Sequence, residues 1–125
     1  MDAINYPTIT IGDKTLVVRF SLAAQVLLGR RGIDIRQLSA LLDKENPQGA
    51  ENLVKIFAAC VAENFIDQSN PATCSLGAAP SADYWAMQLS GRLQDAADSI
   101  VEAMGKAAEA LQKGLAVVPP ARAAS

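Results

Sequence analysis

Hydrophobic and polar residues alternate near the start of the chain. Ile9 and Ile11 alternate with threonines, and a second alternating run places Leu16, Val18 and Phe20 on one side. The Gly-Asp-Lys sequence between the runs suits a tight turn, because glycine tolerates a positive φ. The period of two predicts a β-hairpin with one buried face. Since an isolated hairpin is only marginally stable, we expect this face to pack against the helices that follow.

The hairpin is followed directly by a predicted helix. Ser21 is a suitable N-cap for a helix that begins at Leu22, and we expect Leu22, Val26 and Leu27 on its inward face. The Gly-Arg-Arg-Gly sequence at 29–32 ends this helix, with the last glycine as a left-handed C-cap and the arginines near the negative helix end. A contact between these arginines and an anionic partner is an alternative that stays open.

Two more helices are predicted before residue 66. Asp34 is a suitable cap for a short helix whose apolar residues are Ile35, Leu38, Leu41 and Leu42. Residues 50–65 form the second, with an apolar set at Leu53, Val54, Phe57, Cys60, Val61 and Phe65, opposite Glu51, Lys55, Ala59 and Glu63. The apolar set makes 50–65 a core helix. The residues that follow, 66–80, read as a long loop, either a surface connector or a partner-binding segment.

The pattern then predicts one long helix over 82–113, capped by Ser81. Its apolar stripe consists of Trp85, Leu89, Leu93, Ala96, Ile100, Met104, Ala107 and Leu111. The first half of this stripe is expected to pack on the core. The second half is rich in alanine, which permits close approach of a partner or of another copy of the chain. The helix propensity of alanine explains the same composition without a partner.

These elements predict one α+β domain over 1–113, mainly helical, with an N-terminal hairpin and about four helices, the last one long. Residues 114–125 begin with a glycine and contain Pro-Pro, so we expect a flexible tail there.

Charge and composition narrow the function classes. The net charge is −2 and the pI is about 5.0, so the chain has no general attraction for nucleic acid or anionic lipid. The N-terminus lacks the features of a signal peptide, and no run approaches a membrane span, so we expect a cytoplasmic protein without membrane or nucleic-acid partners. A small DNA-binding regulator is the weakest alternative, since only Arg36 and Gln37 support a recognition helix.

The sequence offers little catalytic chemistry. It contains no histidine, which removes the usual general base and the commonest metal ligand, and no phosphate-binding or nucleophile motif occurs. Cys60 is predicted to be a buried structural thiol, while Cys74 lies in the loop and is expected to be free. Asp95, Asp98 and Glu102 read as a solvated helix face. The spacing predicts ordinary i,i+3 and i,i+4 ion pairs, which are Arg92 with Asp95, Glu102 with Lys106, and Glu109 with Lys113. We therefore predict a non-enzymatic protein with no catalytic, cofactor or metal site.

Two adjacent aromatic residues stand at the start of the long helix. Trp85 continues the apolar stripe and is predicted to be a core residue. Tyr84 points about 100° away from it and is a candidate for an interface. Together with the second half of the helix, this gives four candidate partner-binding residues, which are Tyr84, Met104, Ala107 and Leu111.

The order of these elements resembles the tail assembly chaperones of long-tailed phages and prophages. The resemblance covers about the first 65 residues in pattern: a polar strand, the Gly-Asp-Lys turn, the strand 16–21 and an immediate helix. It continues in the short second helix that ends at Leu41 and Leu42, the helix around 53–60, and the helix that starts with Ala-Asp-Tyr-Trp at 82–85.

This resemblance implies a non-enzymatic protein that binds the hydrophobic, helical tape measure protein and recruits tail tube protein during tail assembly. It implies no catalytic or ligand residues. It would place the protein in the cytoplasm of the bacterial host, and a homo-oligomer is possible. The alternative is a structural component of the phage tail or virion, which would use the same helix to pack permanently.

Overall fold

The computed structural model of the chain describes residues 5–117, with side chains through Ala110. The fold is α+β and mostly helical. It begins with an antiparallel hairpin of two strands, β1 (Thr8–Ile11) and β2 (Lys14–Val17). The described part then contains five α-helices, α1 (Leu22–Arg30), α2 (Leu38–Leu41), α3 (Gly49–Cys60), α4 (Ala82–Gln88) and α5 (Leu93–Val117). The predicted fold class is confirmed, with five helices where about four were predicted.

The hairpin buries the face that the alternation predicts. Ile9, Ile11, Leu16 and Val18 are buried, and Gly12 in the turn has a φ of +66°. Regular pairing ends at Val17, earlier than the alternating run. Beyond it, the Val18 amide donates to the Pro7 carbonyl at 2.9 Å and the Arg19 amide donates to the Cys60 carbonyl at 2.8 Å. The end of β2 is thereby attached to the end of α3.

The core is built around α3, which packs against α1, α4 and α5. Ile56, Phe57 and Cys60 are fully buried, so the predicted core helix is confirmed. The expectation that Ala59 lies on the polar side was wrong, because α3 is covered on several sides and Ala59 is buried as well. The helical segment predicted over 50–65 ends at Cys60 and continues as a 3₁₀ turn, Ala62–Phe65.

The predicted inward face of α1 was partly wrong. Leu22 and Val26 are exposed, and the buried residues are Ala24, Leu27 and Leu28. Positions two residues apart lie on opposite sides of a helix, so burial of Ala24 turns both Leu22 and Val26 outward. The predicted ends of this helix are confirmed, since Ser21 accepts a hydrogen bond from the Ala24 amide and Gly32 has a φ of +72°.

Arg31, beside that C-terminal glycine, reaches across to α3. Its guanidinium donates to the Lys55 carbonyl at 3.1 Å, and partial burial lowers the pKa of Arg31 below its ordinary value. This hydrogen bond within the fold explains the position of the Arg31 side chain without an anionic partner.

The single helix predicted over 82–113 is two helices. Ser81 caps α4 as predicted, but α4 stops at Gln88, and Gly91 has a φ of +78°, which interrupts the helix before α5 begins at Leu93. The bend keeps Trp85 and Leu89 on one side of the break and Ala96 and Ile100 on the other in the same core.

The end of α5 also differs from the prediction. The helix continues past residue 113 to Val117, so residues 114–117, predicted as tail, are its last turn. The rest of the predicted flexible tail, 118–125, lies outside the described residues. The loop predicted over 66–80 contains one short 3₁₀ turn, Leu76–Ala78, and Ile66 and Leu76 pack against the core.

Candidate functional site

A groove runs between the start of α1 and the second half of α5, and we call it the α1/α5 groove. Its volume is about 790 Å³. On one side it is formed by Phe20, Ser21, Leu22 and Gln25, and on the other by Met104, Ala107, Ala108 and Ala110. The polar residues Tyr6, Arg19, Glu63 and Gln68 complete the lining.

The groove offers apolar surface of the kind that a partner helix buries. Leu22 is 75% exposed although it is a large aliphatic residue. On the α5 side, Met104 is half-buried and the alanines are small, which allows a second helix to approach the backbone closely. The geometry suits recognition of an amphipathic helix through its apolar face.

The polar part of the lining carries one balanced pair of charges. The Arg19 guanidinium donates to the Glu63 carboxylate at 3.3 Å and lies 5.1 Å from the centre of the Tyr6 ring. Because Arg19 and Glu63 neutralise each other, this part of the groove has no strong preference for an acidic or a basic partner. Selectivity for an occupant therefore depends mainly on apolar shape.

The structure brings together two of the four predicted partner-binding residues. Met104 and Ala107 line the α1/α5 groove. Tyr84 lies on α4 and does not line it. The fourth residue, Leu111, lies in the turn of α5 whose side chains are outside the described residues.

Tyr84 belongs to an aromatic cluster instead. Its ring lies 4.9 Å from the ring of Trp85 in an edge-to-face arrangement, and 45% of the residue is exposed. Trp85 is buried as predicted and also contacts Phe57 and Phe65. The indole N–H of Trp85 has no hydrogen-bond partner among the described residues. Tyr84 thus covers one edge of the core while keeping a solvent-accessible ring.

Sequence reasoning missed Leu22 as a groove residue. It placed Leu22, Val26 and Leu27 on the inward face, whereas the buried residues of α1 are Ala24, Leu27 and Leu28. Phe20 and Gln25 were missed for a different reason. They line the groove only because α5 passes near the start of α1, a long-range arrangement that carries no local signal.

The two thiols lie in different environments, and charged residues of α5 form pairs along the helix. Burial raises the pKa of the Cys60 thiol to about 12, which keeps it protonated, while Cys74 is exposed. Arg92 pairs with Asp95 at 3.3 Å as predicted. Lys106 pairs with Glu109 at 3.8 Å rather than with Glu102, because i,i+3 and i,i+4 positions compete for the same ammonium group.

The described residues contain no group of three or more cysteine, aspartate or glutamate side chains placed to hold a metal ion. Within 5–117, no helix combines the length and the apolar character needed to cross a membrane. No family model, no curated protein and no solved structure matches this chain.

Proposed function

We propose that this chain is a non-enzymatic phage tail assembly chaperone. In this proposal it acts in the cytoplasm of the bacterial host, holds an apolar helix of the tape measure protein in the α1/α5 groove, and assists the addition of tail tube protein. The observation that carries the proposal is the groove itself, where exposed Leu22 lies across from Met104 and Ala107. The order of a hairpin, an immediate helix and a late long helix supports the family.

The occupant is a helix because of the shape and chemistry of the lining. A tape measure protein is helical and hydrophobic by the same family resemblance, and an unpartnered apolar helix needs a surface that covers it until assembly. Burying one large aliphatic side chain such as Leu22 contributes about 1.5–3 kcal/mol. Such contacts must also offset the cost of association, so the net affinity is modest, which suits a partner that is later released.

The alternative is a structural component of the tail or virion, which would use the same groove permanently. The small DNA-binding regulator is the third candidate and is disfavoured by the net charge of −2.

Coexpression with a tape measure protein from the same phage or prophage genome separates these functions. A soluble complex, together with absence of this chain from purified particles, supports the chaperone. Presence in purified particles at stoichiometric amounts would instead identify a structural component. Salt-sensitive binding to duplex DNA without a tape measure complex would favour the regulator.

A further inference from the structure

The outer edge of β1 exposes backbone groups that the hairpin does not use. The Val18 amide donates to the Pro7 carbonyl, so Pro7 and Val18 are a hydrogen-bonded pair. Hydrogen-bonded and non-hydrogen-bonded residue pairs alternate along an antiparallel ladder. Thr8 faces Val17 and Thr10 faces Thr15 in non-hydrogen-bonded pairs, so both threonines direct their N–H and C=O groups away from β2. Both threonines are exposed.

The outward backbone groups of the two hairpin edges are hydrogen-bonded to different extents. On the β2 side, the side-chain amide of Asn64 accepts from the Val17 amide at 3.1 Å and donates to the Val17 carbonyl at 2.8 Å. On the β1 side, the Arg92 guanidinium donates to the Thr10 carbonyl. Among the described residues, no partner is present for the Thr8 amide, the Thr8 carbonyl or the Thr10 amide. Of the four backbone groups that Thr8 and Thr10 direct away from β2, three thus have no partner among the described residues.

This open edge lines a cleft with an acidic opposite wall. The cleft has a volume of about 310 Å³ and lies between β1 and the first turns of α5. The α5 wall carries Asp95, Asp98 and Glu102. Arg92 neutralises Asp95 at 3.3 Å. Asp98 and Glu102 form no ion pair with any described side chain, so the wall retains negative charge.

We propose that the β1 edge is a second binding surface, which takes an extended, positively charged peptide segment by strand addition. The segment pairs with both backbone groups of Thr8 and with the Thr10 amide. Strand addition supplies backbone hydrogen bonds, and alternate side chains provide specificity. Lysine or arginine side chains of the segment then reach Asp98 and Glu102. This surface is separate from the α1/α5 groove, and the proposal does not depend on the function proposed for that groove.

The test uses a synthetic peptide with blocked ends in which lysine alternates with threonine. Its affinity for the full chain is measured by fluorescence anisotropy, and amide chemical shifts of Thr8 and Thr10 are followed by NMR. A control peptide of the same sequence carries N-methyl groups on alternate residues, which keep the charge and remove the donors. We expect the control to bind about fivefold more weakly, because it loses one hydrogen bond, the one that a peptide N–H donates to the Thr8 carbonyl.

Two double variants test the charge. Asp98→Asn with Glu102→Gln is expected to weaken binding about fivefold, at the level of two surface ion pairs. The matched control, Glu45→Gln with Asp83→Asn, removes the same charge away from the cleft and leaves the affinity unchanged. Equal weakening by both double variants, equal binding of the N-methylated peptide, or no binding at millimolar peptide would each overturn the proposal.

Discussion

Two glycine-to-alanine substitutions, one just before α5 and one in its middle, should change stability in opposite directions. Gly91, between α4 and α5, has a φ of +78°, whereas Gly105 lies within α5. A Cβ atom built at either position meets no atom within 4 Å, so steric contact plays no part in either change. Only the backbone conformation distinguishes the two sites.

The magnitudes follow from that conformation. Alanine in the left-handed region costs about 1–2 kcal/mol, so Gly91→Ala is expected to lower the free energy of unfolding by that amount. Alanine is favoured over glycine inside a helix by about 0.8–1 kcal/mol, so Gly105→Ala is expected to raise it. Gly91→Asn should cost less than Gly91→Ala, because asparagine tolerates the left-handed region better.

Urea unfolding of the three variants and the parent chain measures these differences. A change of 1 kcal/mol corresponds to a shift in Tm of about 4 °C for a domain of this size, so thermal scans provide a second readout. The sequence pattern alone predicts a continuous helix over 82–113, and in such a helix both alanine variants would be stabilising. Stabilisation by Gly91→Ala would therefore refute the break between α4 and α5.

Two further predictions concern the two cysteines and the Asn64 side chain. When the folded chain is treated with a thiol reagent at pH 8, we expect Cys74 to react at the rate of a free thiol. Cys60 is 1% exposed and should react only when the chain unfolds. Rapid labelling of both thiols would contradict the packing of α3. Asn64→Ala should lower the free energy of unfolding by about 1–2 kcal/mol in urea titrations, because it leaves both Val17 groups without their partner. The same loss in Asn70→Ala, a loop asparagine, would argue against a specific role for Asn64.

Local signals predicted those parts of the fold that local chemistry determines. The hairpin followed from strict alternation and a Gly-Asp-Lys turn, and Gly12 and Gly32 have the positive φ values that their positions required. The caps at Ser21 and Ser81 are made by the predicted hydroxyls. Each of these features depends on a few neighbouring residues.

The errors arose where tertiary packing decides between two acceptable local patterns. The apolar stripe continues through Gly91 at helical spacing, so periodicity gave no sign of a break. In α1, the leucines and the valine offer more than one apolar face, and contact with α3 selects the face of Ala24 and Leu28.

For the same reason, the sequence could predict only part of the candidate site. Met104 and Ala107 follow from the length of the predicted last helix, whereas Leu22 joins them only because α5 passes near the start of α1.

The central claim is that the α1/α5 groove holds an apolar helix of the tape measure protein. Its most direct test compares the affinity of that protein for the Leu22→Glu and Met87→Glu variants. Both parent residues are highly exposed, at 75% and 78%, so neither change should unfold the chain, and Met87 lies outside the groove.

We expect Leu22→Glu to weaken binding at least about tenfold, through loss of about 1.5–3 kcal/mol of apolar burial, and Met87→Glu to bind like the parent. Equal affinity of the Leu22→Glu variant and the parent chain would contradict the account.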